Sequence, residues 1–452
     1  METAAAKIKK TLLFGGDLLI LYLSFWLALY LRYGFDFEHI KPSFSNQHFF
    51  PFTIIFLVWL LVFYIIGLYD LNIARNNLAF YSTLVKALLI NTAIAVSFFY
   101  FIAYFGITPK TILFLGIIIF VMFLISWRQI FNRLLVSPAL LNNLLIIGEA
   151  EEIKELTDHI KENPQLGFNI KRIVKPKDIE LIFNLTECLV QDNIQTVVTA
   201  INPHKNGKLV KNLYHCLPLN IAFYDLPTFY EKIAGKVPIS AIEEIWFLEN
   251  LMQEKKDFYE TTKRFLDIFY ALIIGIITLP LYPLVALAIK IDSRGPVFYK
   301  QKRVGANNQI FNIYKFRSMV ENAEKDGAQW ARAKDHRVTK IGRLLRMARI
   351  DELPQLYNVL RGDMSSVGPR PERPEFVFGV NLQRKIPFYQ IRHLVKPGLT
   401  GWAQINFEYG ASLEDSIEKL EYDLYYIKNR SFILDLGIIL RTIKIVLSGG
   451  GR

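Results

Sequence analysis

The chain has 452 residues, 52% of them hydrophobic, with a formal net charge of +12. That length accommodates about three domains, and a mean hydropathy of +0.25 argues against an ordinary soluble enzyme and for a membrane protein. Two cysteines, Cys188 and Cys216, are too few for a disulfide framework and lack metal-binding spacing, which fits a reducing cytoplasmic setting.

Four apolar segments fill the first third: Thr11–Leu31, Phe49–Tyr69, Ala87–Phe105 and Thr111–Trp127. Each approaches the ~20 residues of a bilayer-crossing helix; the last is short and open to tilt or extension by its flanks. No small-residue cleavage site follows the first run, so it is expected to span rather than to be removed. Lys7, Lys9 and Lys10 precede the first span, Arg75 and Lys86 lie between the second and third, and Arg128 and Arg133 follow the fourth. The cation bias therefore puts both ends of the bundle in the cytoplasm. Asp17, near the cytoplasmic end of the first span, is expected to reach the interface.

From Leu144 the pattern changes. Leu144–Gly148 reads as a buried parallel strand, Glu149–Asn163 as a helix, and Thr196–Ala200 and Leu219–Tyr224 as further strands. Strands alternating with helices imply a Rossmann-like α/β layer. Its first turn, Gly148-Glu149-Ala150-Glu151, lacks the later glycines of a dinucleotide fingerprint. Glu149, Glu151 and Glu152 would also repel pyrophosphate, so a structural or regulatory role is expected.

A fifth apolar run, Ile268–Ile289, contains Pro280 and Pro283 and is basic on both flanks, with Lys263 and Arg264 before it and Lys290 and Arg294 after. Proline breaks a helix, and symmetric cations hold both ends on one side. A re-entrant helix at about 265–290 is expected, the alternative being a kinked spanning helix. Two later segments, Ile341–Ile350 and Ser431–Leu447, have the mixed apolar and basic pattern of interfacial helices, as a core-facing helix of a soluble domain also would.

The whole charge excess lies in residues 261–452, which hold 30 Lys and Arg against 18 Asp and Glu. Such a region meets nucleic acid, anionic headgroups or phosphorylated substrates. Lys300, Lys302 and Arg303 lead into it, and Lys315 and Arg317 share one face of a strand by period two. Asp351 and Glu352 follow within Ile350-Asp351-Glu352-Leu353-Pro354-Gln355-Leu356, ahead of Val367-Gly368-Pro369-Arg370-Pro371-Glu372. A carboxylate among cations stays ionised and can attack an electrophile or hold a metal. The prolines fix the backbone around Arg370, whose guanidinium suits phosphate. Adjacent carboxylates diverge on a helix, so a division of labour is expected: one attacks or binds Mg²⁺, the other assists the ion or moves a proton. Pro354 suits a first helical turn, and a helix N-terminus under Asp351 would keep it ionised. His336 and His393 are expected to be structural; Trp402 and Tyr409 could stack on a base or simply pack.

Five blocks in order carry a resemblance. They are Lys315-Phe316-Arg317-Ser318-Met319, Asp351–Leu356, Asn358-Val359-Leu360-Arg361-Gly362-Asp363-Met364, Val367–Glu372 and Lys396–Asn406. Over about residues 262–452 the chain resembles the bacterial sugar transferases, the monotopic polyprenyl-phosphate phosphoglycosyl transferases. Its upstream regions resemble those of the large members, which begin exopolysaccharide, capsule or O-antigen repeat-unit synthesis. The resemblance implies a three-part membrane protein of the bacterial inner membrane. A four-helix transmembrane bundle would span 1–135 and a Rossmann-like cytoplasmic domain 136–255. A C-terminal α/β catalytic domain with a re-entrant membrane helix would span 256–452, on the cytoplasmic face. It implies transfer of sugar 1-phosphate from a UDP-sugar to undecaprenyl phosphate with release of UMP. Asp351 would be the nucleophile of a phosphosugar–aspartate intermediate. Glu352 would support Mg²⁺, with Asp351 the other metal ligand, and Lys315, Arg317 and Arg370 would bind phosphate. Membrane lipids are expected partners and nucleic acid is not; a homodimer suits the large members. Pro280 takes the proline place of the family's Ser-Pro helix break, with Leu279 in the serine place and Thr278 or Pro283 available to compensate.

Two other classes fit the sequence less well. A glycosyltransferase extending a lipid-linked chain usually carries an Asp-x-Asp metal motif, and the last third has none. A non-enzymatic membrane scaffold leaves the clustered motifs without a purpose.

Overall fold

The computed structural model describes residues 4–34, 48–101, 110–138, 141–149, 151–175, 185–201, 206–251, 257–321, 323, 335–407, 410 and 412–447. They form two compact units, Met1–Ile233 and Ala234–Arg452.

The first unit opens with helices α1 (Ala4–Tyr33), α2 (Phe49–Ile66), α3 (Leu78–Phe101) and α4 (Lys110–Leu135). All four are long and apolar enough to cross a bilayer, and less than half of each most apolar stretch is buried inside the protein. Helices apolar all round but half uncovered need a lipid solvent on the open side. The third begins nine residues before its expected start, and the expected end at Phe105 lies outside the described residues. The fourth gains its missing length from Arg128–Leu135, so its flank supplies what the apolar count lacked. Phe25, Phe52, Phe56, Trp59, Phe63 and Phe120 form an aromatic core between the helices.

Asp17 corrects the expectation of an interfacial acid. Its carboxylate is wholly buried and paired with the equally buried Arg128 guanidinium, which also donates to the Leu68 carbonyl at 2.8 Å. Glycine at position 16 leaves room for the Trp127 indole beside this pair.

Beyond the helices, β1 (Asn142–Ile147), β2 (Phe168–Val174), β3 (Thr196–Thr199) and β4 (Ala222–Asp225) make a parallel sheet in the order β2-β1-β3-β4. Helices α5 (Glu151–Glu162), α6 (Leu185–Gln191), α7 (Gly207–His215) and α8 (Leu226–Ala234) connect or follow the strands. β1 is central, and Leu144–Ile147 are buried on both faces, which explains its unbroken apolar sequence. β2 has no counterpart among the sequence-based expectations. It is an edge strand whose Lys171 and Arg172 are exposed, so it shows no clean alternation.

The second unit begins with α9 (Glu244–Leu251); Trp246 and Phe247 pack with Val237, Phe376, Tyr389, Leu420 and Leu424. Helices α10 (Asp257–Thr278) and α11 (Leu281–Asp292) meet at a bend of 62°. The break falls at Leu279-Pro280, as expected. Pro283 lies in the first turn of α11, where its missing N–H costs no helical bond. Thr278 bonds back to the Ile274 carbonyl at 2.7 Å within its own helix. Strands β5 (Phe298–Val304) and β6 (Ile310–Phe316) form an antiparallel hairpin. Helices α12 (Lys340–Met347) and α13 (Leu356–Arg361) follow. β7 (Ser365–Val367) and β8 (Gly398–Thr400) pair in parallel. Glycine is required at 368, because a Cβ there would strike the Lys396 carbonyl and the Gly398 backbone. Helices α14 (Leu382–Lys385), α15 (Trp402–Asn406), α16 (Leu413–Asn429) and α17 (Phe432–Leu447) complete the unit.

The bent helix pair is built into this core. Ala271 of α10 packs with Ile313, Leu356 and Val359, and Val285 and Ile289 of α11 pack with Phe316 and Leu345. Its other faces stay uncovered: Phe265, Ile276, Ile277, Leu284 and Leu287 are all exposed. The expected interfacial helices share this two-sidedness. α12 buries Leu345 and exposes Leu344 and Met347; α17 buries Ile438 and exposes Ile433 and Leu436.

Candidate active site

Between α12 and α13 the chain turns at Arg349, which adopts the left-handed conformation (φ 53°) despite its side chain. Such strained residues gather where structure over-determines them, often at functional sites. The reversal leads into a six-residue 3₁₀ turn, Ile350–Gln355, that carries Asp351 and Glu352 inward; both are 7% exposed. The expected helix N-terminus under Asp351 is therefore replaced by this tighter turn, and α13 starts only at Leu356. Asn358 holds the arrangement against β6. Its side chain donates to the Asn312 carbonyl at 2.7 Å and accepts from the Tyr314 amide at 3.2 Å.

The two carboxylates have different surroundings. Glu352 Oε1 accepts from Lys315 Nζ at 3.0 Å and from Arg370 Nη2 at 2.8 Å, and Oε2 accepts from Arg349 Nη1 at 3.5 Å. Burial alone would raise the Glu352 pKa, but the charges of Arg370, Lys315 and Arg349 outweigh it and hold the group well below the ordinary glutamate range. Asp351 makes no hydrogen bond or ion pair from its carboxylate among the described residues. Burial, opposed by Lys315 and reinforced by the Glu352 charge, pushes it up to about 6. Lys315, Arg346 and Arg370 lower it less than burial raises it, so Asp351 is ionised at neutral pH but by a narrower margin than its cationic surroundings imply. Burial also lowers the Lys315 pKa, against the pull of Glu352.

Lys315, Glu352 and Arg370 are thus brought together, with Asp351 beside them. Arg317 is not. It lies one residue past β6, buried, with its guanidinium donating to the Ser293 carbonyl at 2.7 Å and hydroxyl at 2.9 Å. The Arg317 amide still continues the ladder, donating to the Val297 carbonyl at 2.9 Å, so its side chain is set apart from Lys315 by its contact with Ser293. Arg303 donates to the Pro371 carbonyl at 3.0 Å, while Arg337 pairs with Asp335 within its own turn at 2.6 Å. Among the described residues no group of three or more His, Cys, Asp and Glu could hold a metal unaided.

The lesser candidates fall on the structural side. His393 is buried, and burial with the Arg392 charge lowers its pKa to about 3, so it stays neutral. Trp402 stacks on Tyr425 and donates to the Gly235 carbonyl at 2.7 Å. His336 is exposed, and Tyr409 lies outside the described residues. Sequence reasoning missed Arg349 as a partner of Glu352; its signal, a residue leaving a helix three positions before the acid, is weak. It also missed Arg392, which donates to the Arg370 carbonyl at 3.1 Å.

The family model of the bacterial sugar transferases matches residues 258–449, which hold this entire cluster. The chain is 44% identical over 245 residues to the UDP-N-acetylgalactosamine-undecaprenyl-phosphate N-acetylgalactosaminephosphotransferase of Aeromonas hydrophila, covering 54% of this chain and 57% of the relative. It is 35% identical over 315 residues to the undecaprenyl-phosphate glucose phosphotransferase of Komagataeibacter xylinus, covering 68% and 59%. It is 30% identical over 338 residues to the UDP-glucose:undecaprenyl-phosphate glucose-1-phosphate transferase of Xanthomonas campestris pv. campestris, covering 70% and 68%. The match thus spans less than two thirds of the length of the first two relatives. The chain belongs to the bacterial sugar transferase family.

Proposed function

We propose that this protein transfers a sugar 1-phosphate from a UDP-sugar to undecaprenyl phosphate, releasing UMP. This would be the first membrane step of exopolysaccharide, capsule or O-antigen repeat-unit synthesis. The observation that carries the reading is the inequality of the two acids. Glu352 binds three cations, whereas Asp351, one residue away, has an uncommitted carboxylate and an elevated pKa. An unpartnered carboxylate beside an array of cations has the attributes of a nucleophile for an anionic diphosphate.

A carboxylate oxygen of Asp351 attacks the sugar-bearing phosphorus. A new O–P bond forms as the bond to the bridging diphosphate oxygen breaks, and UMP leaves with that oxygen. The phosphosugar–aspartate intermediate is then attacked at the same phosphorus by a phosphate oxygen of undecaprenyl phosphate, and Asp351 is released. Arg370 and Lys315, held in position by Glu352, offset the charge that gathers around phosphorus. Arg317 stays a phosphate ligand in this reading: only its Nη2 is held by Ser293, and Nε and Nη1 are buried with no hydrogen-bond partner among the described residues.

Asp351, whose carboxylate has no protein partner among the described residues, would offer Mg²⁺ an oxygen; Glu352 would join it only by exchanging one of its contacts with Lys315, Arg370 and Arg349, and substrate phosphates and water would supply the other ligands. Bound there, the ion would neutralise diphosphate charge.

The bend at Pro280 and the basic residues on both flanks support a re-entrant hairpin. The parallel order β2-β1-β3-β4 supports a Rossmann-like middle domain with a structural or regulatory role, and Glu149 at its first turn disfavours a dinucleotide. The cation bias supports a cytoplasmic catalytic domain on a multi-pass protein of the bacterial inner membrane. Incubating the purified protein in nanodiscs with undecaprenyl phosphate and a UDP-sugar panel tests the function. Release of UMP supports it; release of UDP, or no turnover with any donor, refutes it.

A further inference from the structure

The Pro369–Glu372 turn is held by its carbonyl oxygens. Both prolines lack an N–H, so the turn cannot anchor itself by donating at those positions. Four successive carbonyls accept instead. Pro369 accepts from the Gly398 amide at 2.9 Å and Glu372 from the Val304 amide at 2.9 Å. Arg370 accepts from Arg392 Nη2 at 3.1 Å, and Pro371 from Arg303 Nη1 at 3.0 Å. Two of the four donors are thus arginine side chains reaching into the turn from behind.

Arg392 is the better fixed of the two. It is 5% exposed, pairs with Asp423 at 2.8 Å and donates through Nη1 to the Tyr389 hydroxyl at 2.7 Å. Asp423 sits within α16, whose start is locked by a reciprocal Ser412–Asp415 capping box. Tyr389 and Asp423 are each 1% exposed. A buried guanidinium ion-paired with a carboxylate and hydrogen-bonded to a hydroxyl and a backbone carbonyl is anchored within the protein. It is placed to fix the backbone from which the Arg370 side chain reaches Glu352.

We infer that Arg392, anchored by Asp423 and Tyr389, is a positioning residue for the reaction: it sets the Arg370 backbone so that the guanidinium stays in the cation cluster. This rests on the proposed role of Arg370. Misplacing a catalytic group by about 1 Å can cost on the order of 100-fold in rate, so a distant anchor is enough to matter.

The test is a double-mutant cycle on the full-length protein in nanodiscs, following UMP release from UDP-glucose and UDP-N-acetylgalactosamine with undecaprenyl phosphate. Arg392→Lys keeps a cation beside Asp423 but cannot reach all three partners. It is expected to lower kcat about 10–100-fold while donor KM moves less than about threefold. In the Arg370→Ala background the same change is expected to have no further effect, because contacts acting through one group do not add. A wild-type kcat for Arg392→Lys, or an effect that multiplies with that of Arg370→Ala, overturns the inference alone. A wild-type rate for Arg370→Ala overturns the role of Arg370 and the inference with it. Should Arg392→Lys fail to fold, Tyr389→Phe keeps the Asp423 pair and loses only the hydroxyl. It is then expected to lower kcat about 3–10-fold with little change in melting temperature, and a wild-type kcat overturns the inference.

Discussion

Arg370 and Glu352 meet through Nη2 and Oε1 at 2.8 Å, 18 positions apart in sequence. Lys315 shares the same oxygen at 3.0 Å. This contact divides the work of the adjacent acids, because the cations committed to Glu352 leave Asp351 uncommitted.

Asp351→Asn is expected to abolish transfer yet stabilise the protein. The folded pKa of about 6 lies above the unfolded value of 3.8, so the stability this group lends is full below about pH 4 and lost as pH rises through 6. At neutral pH the ionised carboxylate is therefore a cost of about 1–3 kcal/mol, which the amide removes. Thermal unfolding of both proteins at pH 7.5 checks this; a less stable variant contradicts it.

The same value sets a pH profile. Attack needs the carboxylate form, so kcat/KM should be flat above neutrality and fall about tenfold per pH unit below about 6. A profile that stays flat to pH 4.5 would remove Asp351 as the group that titrates.

Glu352→Gln should behave in the opposite sense to Asp351→Asn in stability. It leaves the part-buried Lys315, Arg349 and Arg370 without their shared anion, a loss on the order of 3–5 kcal/mol for a broken buried network. Denaturant or thermal unfolding at neutral pH reads the difference, and equal stability of the two variants would show that the cations have other partners.

In the bundle, Arg128→Ala strands the wholly buried Asp17 and should destabilise the first unit by about 3–5 kcal/mol. Replacing both with apolar residues, Arg128→Met with Asp17→Leu, should restore most of the loss. A double variant as weak as the single one would mean that the pair has a role beyond holding the bundle together.

The bent pair predicts sidedness. Thr261→Cys and Arg294→Cys, on exposed residues at either end of the hairpin, should react with a membrane-impermeant thiol reagent from the same side of sealed vesicles. Cys188 and Cys216 are buried and should give little background. Labelling of the two positions from opposite sides would make the pair a kinked span.

The elements legible in sequence were those whose physics is local. Apolar length exposed the four helices, two-sided burial exposed β1, and the proline at 280 exposed the bend. β2 was hidden because an edge strand alternates poorly. Asp351, Glu352, Lys315 and Arg370 could be read from motif blocks, but which acid takes the cations depends on how the backbone turns at Arg349, where an arginine adopts a conformation its type disfavours. Arg317 shows the same limit, since its guanidinium is engaged by Ser293, 24 positions away in sequence. Asp17 was misjudged because its partner lies 111 residues away.

The most direct test of the central claim is to incubate the purified protein with a UDP-sugar in the absence of undecaprenyl phosphate and examine it by intact-protein and peptide mass spectrometry. The predicted result is stoichiometric UMP release with one phosphosugar on the peptide carrying Asp351, and neither with Asp351→Asn. A phosphosugar on another residue, or equal labelling of the Asp351→Asn protein, would contradict it.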